Sequence, residues 1–398
     1  MKILFICRFL PHPKARDSGR QDQYHYIESL SQHHQVSLIA FTPPEEYAAI
    51  ETMEAICEQV VGIPYKEQAL FSRLWRLGWR IVLPKVYGRV FSLPYRSALR
   101  HLLMQTPFDV VIVDGMMSQY GLMVTNAKRI LDEIDIYSMV AHTLYRQQKY
   151  SLPRLYAKFD WLRTLAMEMH YADQYDGILV RSQKDLLTIQ NFLPQKKTAV
   201  LSPWFEGLDE LQKIAVTRPS GNKLLFSGAM DLLPNAEAVV YFANQVFPLL
   251  KSCLPDSEFY IVGNSPMPQV KALARIQGII VTGEVESLRP YYEMCAINVV
   301  PLFTGGGVIV KTLNGMASGR PTVVTPLGNS GTGARSGRDL LVVPDDPMKF
   351  AEAICQLLTD EAEWRSYAQA GRQFIKTRFD WGTTVTNLTR FLDFVAQD

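Results

Sequence analysis

The stretch from Ile297 to Val324 constrains the fold more than any other. An apolar run (Ile297 to Leu302) meets a glycine loop (Gly305-Gly306-Gly307), then helix-periodic residues from Val308 to Ser318, a Gly319-Arg320-Pro321 stop, and a second apolar run from Thr322. Strand, loop, helix and strand in so few residues fit a parallel α/β sheet, whose strands need a helical crossover. Glycines at the mouth of a helix let backbone N–H groups approach an anion, and the helix dipole adds partial positive charge there. The spacing puts Lys311 one turn into the helix, where it supplies a full charge. A tight βα turn with a solvated lysine uses the same residues, so the loop alone leaves both readings open.

The same alternation runs through the chain. Lys2–Cys7, Val36–Phe41, Phe108–Val113, Ala127–Asp135, Gly177–Val180 and Thr198–Leu201 read as strands, and one long helix is expected from about Tyr145 to Tyr175. A break with Pro203, Gly207 and Pro219 follows, and the pattern restarts at Lys223–Gly228, Glu258–Gly263 and Ile279–Gly283. With 398 residues the chain exceeds one core. The expected division is 1–205, 206–378 and a terminal helical segment, 379–398. Ligand crevices of open α/β sheets lie at the carboxyl ends of strands. That draws attention to Gly228 and Gly263, to the loop Asp17-Ser18-Gly19-Arg20, and to Asp132 and Asp135. Carboxylates at a strand end bind sugar hydroxyls or take a proton, and they also cap helices.

Composition excludes little: 47% apolar and 20% charged residues describe an ordinary globular chain. Charge is uneven, with 24 Lys+Arg against 19 Asp+Glu in residues 1–205 and 17 against 20 in the remainder. Much of the basic excess sits in residues 66–100, where Lys66, Arg73, Arg76, Arg80, Lys85, Arg89, Arg96 and Arg100 face Glu67 alone and are interleaved with Phe71, Trp75, Trp79, Tyr87, Phe91 and Tyr95. A basic-aromatic amphipathic helix suits an anionic membrane surface, and it equally suits arginines snorkelling over a core. No nucleic-acid recognition motif accompanies it. Cys7, Cys57, Cys253, Cys295 and Cys355 read as isolated reduced thiols of a cytoplasmic protein. The apolar amino terminus is cut by Arg8 and reads as a first strand, and no run reaches the length of a spanning helix.

Taken together these pieces resemble the retaining, nucleotide-sugar-dependent glycosyltransferases of family 4, most closely the subgroup tied to exopolysaccharide and exosortase-type gene clusters. The residues that carry the resemblance are Phe226-Ser227-Gly228-Ala229-Met230-Asp231 with Pro234-Asn235, Phe259 to Gly263, Val281-Thr282-Gly283-Glu284-Val285, Arg289-Pro290-Tyr291, Gly307 to Pro321, and Gly337 to Val343. It implies a GT-B fold: two Rossmann-like domains facing across a cleft, an acceptor domain first and a donor domain second, with a C-terminal helix crossing back. It implies that Gly228, Asn235, Gly263, Gly305, Gly306, Gly307, Lys311 and Asn314 hold the donor, and that Gly19, Arg20, Asp132 and His142 meet the acceptor. Lys311 and Asp135 are the implied catalytic residues. The nucleotide-diphosphate sugar is then a co-substrate, with no cofactor and no metal. The acceptor is a lipid-linked or growing saccharide, in polysaccharide biosynthesis on the cytoplasmic face of a membrane.

Two positions depart from the family pattern. Its members usually carry a glutamate three residues after the helix lysine, for the ribose hydroxyls; this chain has Asn314. The closest subgroup has an arginine where Gly306 stands. An amide in place of a carboxylate costs about 1–2 kcal/mol in donor binding. These departures keep open a non-catalytic scaffold in a polysaccharide-assembly complex; a sugar epimerase of the same fold would need paired acids and a histidine that the sequence does not single out.

Overall fold

The computed structural model of the chain describes residues 1–15, 17–65, 84–88, 90–148, 150–204 and 207–397. They form two compact units, Met1–Trp204 with Trp381–Asp398, and Phe205–Asp380.

The first unit is built on β1 (Lys2–Phe9), β2 (Gln35–Thr42), β3 (Gln59–Pro64), β4 (Val110–Asp114), β5 (Lys128–Glu133), β6 (Gly177–Val180) and β7 (Thr198–Val200). They pair in parallel in the order 3-2-1-4-5-6-7, with Ile3 beside both Val36 and Val110 at the centre. The strands are near-continuous apolar runs because helices cover both faces. One face gathers Leu4, Ile6, Val111, Val113 and Leu131, the other Ile3, Phe5, Val110, Ile112 and Ile130.

Helix α1 (Ser18–Ser31) follows β1 and is capped by Asp17, whose carboxylate accepts from the Arg20 amide. Helix α2 (Leu93–Gln105) is capped by Ser92. Of the basic-aromatic segment, Arg73, Trp75, Arg76, Trp79 and Arg80 lie outside the described residues; Arg96 and Arg100 are exposed on α2. The single helix expected over 145–175 is two, α3 (Tyr137–Gln147) and α4 (Ser151–Asp173). Pro153 explains the break, since proline is accepted in a first turn but not in a helix interior. Helix α5 (Gln183–Phe192) is capped by Ser182.

The second unit carries β8 (Lys223–Ser227), β9 (Glu258–Val262), β10 (Ile279–Gly283), β11 (Ile297–Val300), β12 (Thr322–Val324) and β13 (Leu341–Val342), parallel in the order 10-9-8-11-12-13. The helical stretch after β8 runs as α6 (Leu233–Tyr241), a π turn, and α7 (Phe247–Cys253). Then come α8 (Val310–Ala317), α9 (Pro347–Thr359) and α10 (Glu361–Arg378). Not all five cysteines are isolated reduced thiols. Cys253 on α7 and Cys355 on α9, 102 residues apart, form a disulfide, while Cys7, Cys57 and Cys295 are free and buried.

The terminal helix α11 (Trp381–Ala396) belongs to the first unit, burying Leu388, Phe391, Leu392 and Val395 in the core that holds Ile3 and Leu179. Gly177 admits it: a Cβ there would lie 2.9 Å from Phe391 Cζ. Among the described residues no helix is long and apolar enough to cross a membrane.

Candidate functional site

In the second unit the strand ends build a cradle. Helix α8 begins at Val310, so Lys311 is its second residue and not one turn in as the spacing suggested. The N-cap, Ile309, makes no side-chain capping bond, which leaves the first-turn amides without a side-chain acceptor. Gly305 (φ +123°) and Gly307 (φ +69°) take backbone conformations that side chains resist, and Gly306 between them is exposed. The helix is seated from below by Gly315, whose position a Cβ would drive into Asn298 and Thr322. Asn298 Nδ2 also donates to the Lys311 carbonyl at 3.2 Å, fixing the register of α8 on β11.

Lys311 sits over the cradle with Gly228 and Asn235. A Cβ on Gly228 would meet Asn235 Nδ2 at 2.9 Å and Lys311 Cε at 3.2 Å, so these three converge at the end of β8. Asn235 is held by donating to the Ala229 carbonyl at 2.8 Å. Gly263, at the end of β9, lies so close that any Cβ would overlap the Gly228 carbonyl. Burial pushes Lys311 down from 10.5 to about 8. Its ammonium lies 5.6 Å from the centre of the Phe226 ring. Asn314 falls on the same helix face three residues on and is buried, and its Oδ1 has no hydrogen-bond partner among the described residues. A buried amide oxygen with no partner and a desolvated lysine beside it form a site short of both a donor and an anion.

A second glycine loop supports the first. Gly331 (φ +71°) packs against the Val308 backbone, Ile309 donates to the Ser330 carbonyl at 3.2 Å, and Thr312 Oγ1 donates to the Gly328 carbonyl at 2.6 Å. The Gly337-Arg338-Asp339 run places a buried Asp339 carboxylate between the Arg335 amide at 2.9 Å and the Arg338 guanidinium at 2.8 Å. Although burial works against it, those bonds hold the Asp339 carboxyl below the usual range.

The residues assigned to the acceptor in the first unit have separate surroundings. Gly19 presses on Ile134, where a Cβ would come within 3.0 Å. Arg20 is buried and committed to Asp17 at 2.8 Å and to both Glu46 oxygens at 2.8 and 2.9 Å. Asp132 is locked inside: Arg181 bridges it at 2.7 Å and Asp22 at 2.5 Å, all three side chains 2–3% exposed. His142 packs on Trp161 of α4, ring centres 4.5 Å apart. Asp135 is half-buried at the end of β5, and burial raises its carboxyl from 3.8 to about 6, with Asp185 adding to the rise and Arg181 opposing it.

Sequence reasoning missed the Asp22–Arg181–Asp132 triad. Burial pushes Asp22 to about 6 even beside Arg181, and although burial works against the guanidinium, Asp132 and Asp22 keep it charged. Asp22 further accepts from the Trp204 amide at 2.7 Å, tying the end of the first segment to α1. The available signal was Arg181 directly after the apolar run of β6, next to an acid closing neighbouring β5. Glu133 was passed over too, and it lies beside Glu168. Both are buried, and burial raises both, Glu168 to about 7 although it accepts from the Ser138 amide.

Two parallel-sheet α/β units of this kind make the GT-B fold of glycosyltransferases. Residues 221–360, which contain the whole cradle, match the family model described as Glycosyl transferases group 1. An uncharacterised 44.6 kDa protein in the cps region of Klebsiella pneumoniae is 24% identical over 405 residues, covering 95% of this chain and 96% of its own. Among solved structures, sucrose-phosphate synthase of Thermosynechococcus elongatus has a TM-score of 0.66 at 14% identity, covering 99% of both chains. Anabaena HepE in complex with UDP and glucose has 0.65 at 13% identity, also covering 99% of both chains. A mutant of S. aureus TarM with fondaparinux, alpha-GlcNAc-glycerol and UDP has 0.66 at 9% identity, covering 98% of this chain and 99% of its own. The match over residues 221–360 and the shared fold support glycosyl transfer.

Proposed function

We propose that this chain moves a sugar from a nucleotide-diphosphate donor to a lipid-linked or polysaccharide acceptor, with retention of configuration. The observation that carries the reading is Lys311, desolvated at the uncapped mouth of α8 with Gly228 and Asn235 beside it. The departing group in such a reaction is a nucleoside diphosphate, whose growing negative charge needs fixed positive charge and aligned N–H dipoles more than it needs a nucleophile. Lys311 and the α8 amides supply both without a metal. Asn314, with its unpartnered Oδ1, accepts from a donor hydroxyl in place of the usual carboxylate.

In the first unit Asp135, its carboxyl near 6, is the group suited to take the acceptor proton near neutral pH. Solved proteins of the same fold hold UDP, and TarM holds saccharide ligands, which supports this pairing of substrates. The cps-region relative supports polysaccharide assembly as the setting, and the basic excess of the first half favours an acceptor at an anionic membrane surface. Thermal melting of the full chain with UDP-, GDP- and ADP-sugars tests the reading: one nucleotide class raises the midpoint, and no shift with any of them removes its support.

A further inference from the structure

Helix α4 is unlike the other helices of its unit. From Ser151 to Leu162 almost every residue is exposed, and the helix settles into the core only from Thr164 onward. On that outlying part Leu152 (77% exposed), Leu155 (64%), Phe159 (53%) and Leu162 (46%) fall at i, i+3, i+7 and i+10, one face of a helix, with Tyr150 (76%) just ahead of it and Leu144 of α3 (53%) exposed as well. A soluble face of three turns ordinarily shows scattered apolar residues and not a continuous stripe. The exposed charges beside the stripe are of one sign. Arg146, Arg154 and Lys158 are exposed, and the one acid of residues 144–163, Asp160, is paired with Arg163 at 3.4 Å.

We propose that the outer face of α4 docks on an anionic lipid bilayer, the leucines and Phe159 entering the headgroup region and Arg154, Lys158 and Arg146 meeting lipid phosphates. A leucine stripe bordered by lysine and arginine is the pattern that binds such a surface, by apolar burial together with attraction to acidic headgroups. A second copy of this chain would bring the same cations against each other, which argues against a self-interface. The inference deepens the reading of a membrane acceptor given above, and it moves the contact from residues 66–100 to a helix whose exposure is on view.

Flotation of the full chain with vesicles tests it, and no sugar donor is needed, so the outcome is separate from nucleotide binding. Expected is co-flotation with phosphatidylcholine vesicles containing phosphatidylglycerol, weak or no binding to phosphatidylcholine alone, and at least a roughly tenfold loss of partitioning for Leu155→Ser with Phe159→Ser. Arg154→Glu with Lys158→Glu, which leaves the stripe intact, is expected to lose binding in the same vesicles, and raised salt is expected to weaken the wild type. An unchanged melting curve certifies that each variant folds. The proposal is overturned if the wild type ignores anionic vesicles. It is overturned equally if the α4 variants float like wild type while Arg73→Glu with Arg76→Glu does not, or if light scattering shows a dimer that the Leu155/Phe159 variant splits and vesicles do not bind.

Discussion

Replacing Lys311 with methionine removes an ammonium while keeping most of the side chain's length, and the structure gives its two consequences opposite signs. Burial lowers the Lys311 pKa from 10.5 to about 8. A displacement of that size corresponds to about 3 kcal/mol for keeping the charge at pH 7 in the empty fold. The side chain retains some solvent contact and faces the Phe226 ring, so we take about 1–2 kcal/mol. Without ligand, Lys311→Met is therefore more stable than wild type, by roughly 3–6 °C in the melting of a unit this size. The same change removes a charge-assisted contact to the diphosphate worth about 2–3 kcal/mol, weakening a nucleoside diphosphate roughly 30- to 150-fold. Differential scanning fluorimetry with and without nucleotide reads both numbers. A variant that melts lower than wild type when empty and keeps its nucleotide shift refutes the reasoning, because Lys311 is then a structural group.

Below about pH 8 Lys311 is already charged in the empty protein, and above it a proton must be taken up on binding, so diphosphate affinity measured by calorimetry falls as pH rises past about 8, by up to about tenfold per pH unit. Gly228→Ala, at φ +157° with Asn235 and Lys311 in the way, is expected to cost about 1–3 kcal/mol and to abolish nucleotide binding, read by melting. Asn314→Glu places a carboxylate three residues from Lys311 and is expected to tighten nucleoside binding by about five- to tenfold in titration calorimetry, whereas weaker binding means the pocket is built around the amide. Arg181→Met leaves Asp22 and Asp132 buried without their cation and is expected to destabilise the first unit by about 3–5 kcal/mol in urea denaturation.

What could be read from the sequence was what is local in the chain. The glycine loop, α8 and the Gly319 stop lie within a single stretch of Ile297 to Val324, so their order alone dictates a strand-loop-helix-strand unit. The error at Lys311 was one of phase: Ile309 caps the helix two residues later than periodicity suggested, because the loop needs Val308 to pack on Gly331. The triad was hidden because Asp22, Asp132 and Arg181 lie 49 to 159 residues apart and meet only when β5 and β6 pair beside α1. For Arg20 and Asp132 the sequence shows a charge and not the side chains it is paired with, Asp17 and Glu46 for one and Arg181 for the other. Cys253 and Cys355 looked isolated for the same reason, since α7 and α9 pack together only in the folded unit. The stripe on α4 was masked by composition: Leu152, Leu155 and Phe159 have the spacing of a core helix, and burial alone shows that they face outward.

The central claim is that the mouth of α8 receives a diphosphate. Titration calorimetry with matched nucleoside mono- and diphosphates of uridine, guanosine and adenosine, on wild type and Lys311→Met, tests it most directly. The account predicts that for one base the diphosphate binds wild type at least about tenfold tighter than the monophosphate, and that this difference disappears in Lys311→Met. Equal affinities for mono- and diphosphate in wild type, or a difference that survives the loss of Lys311, would contradict it.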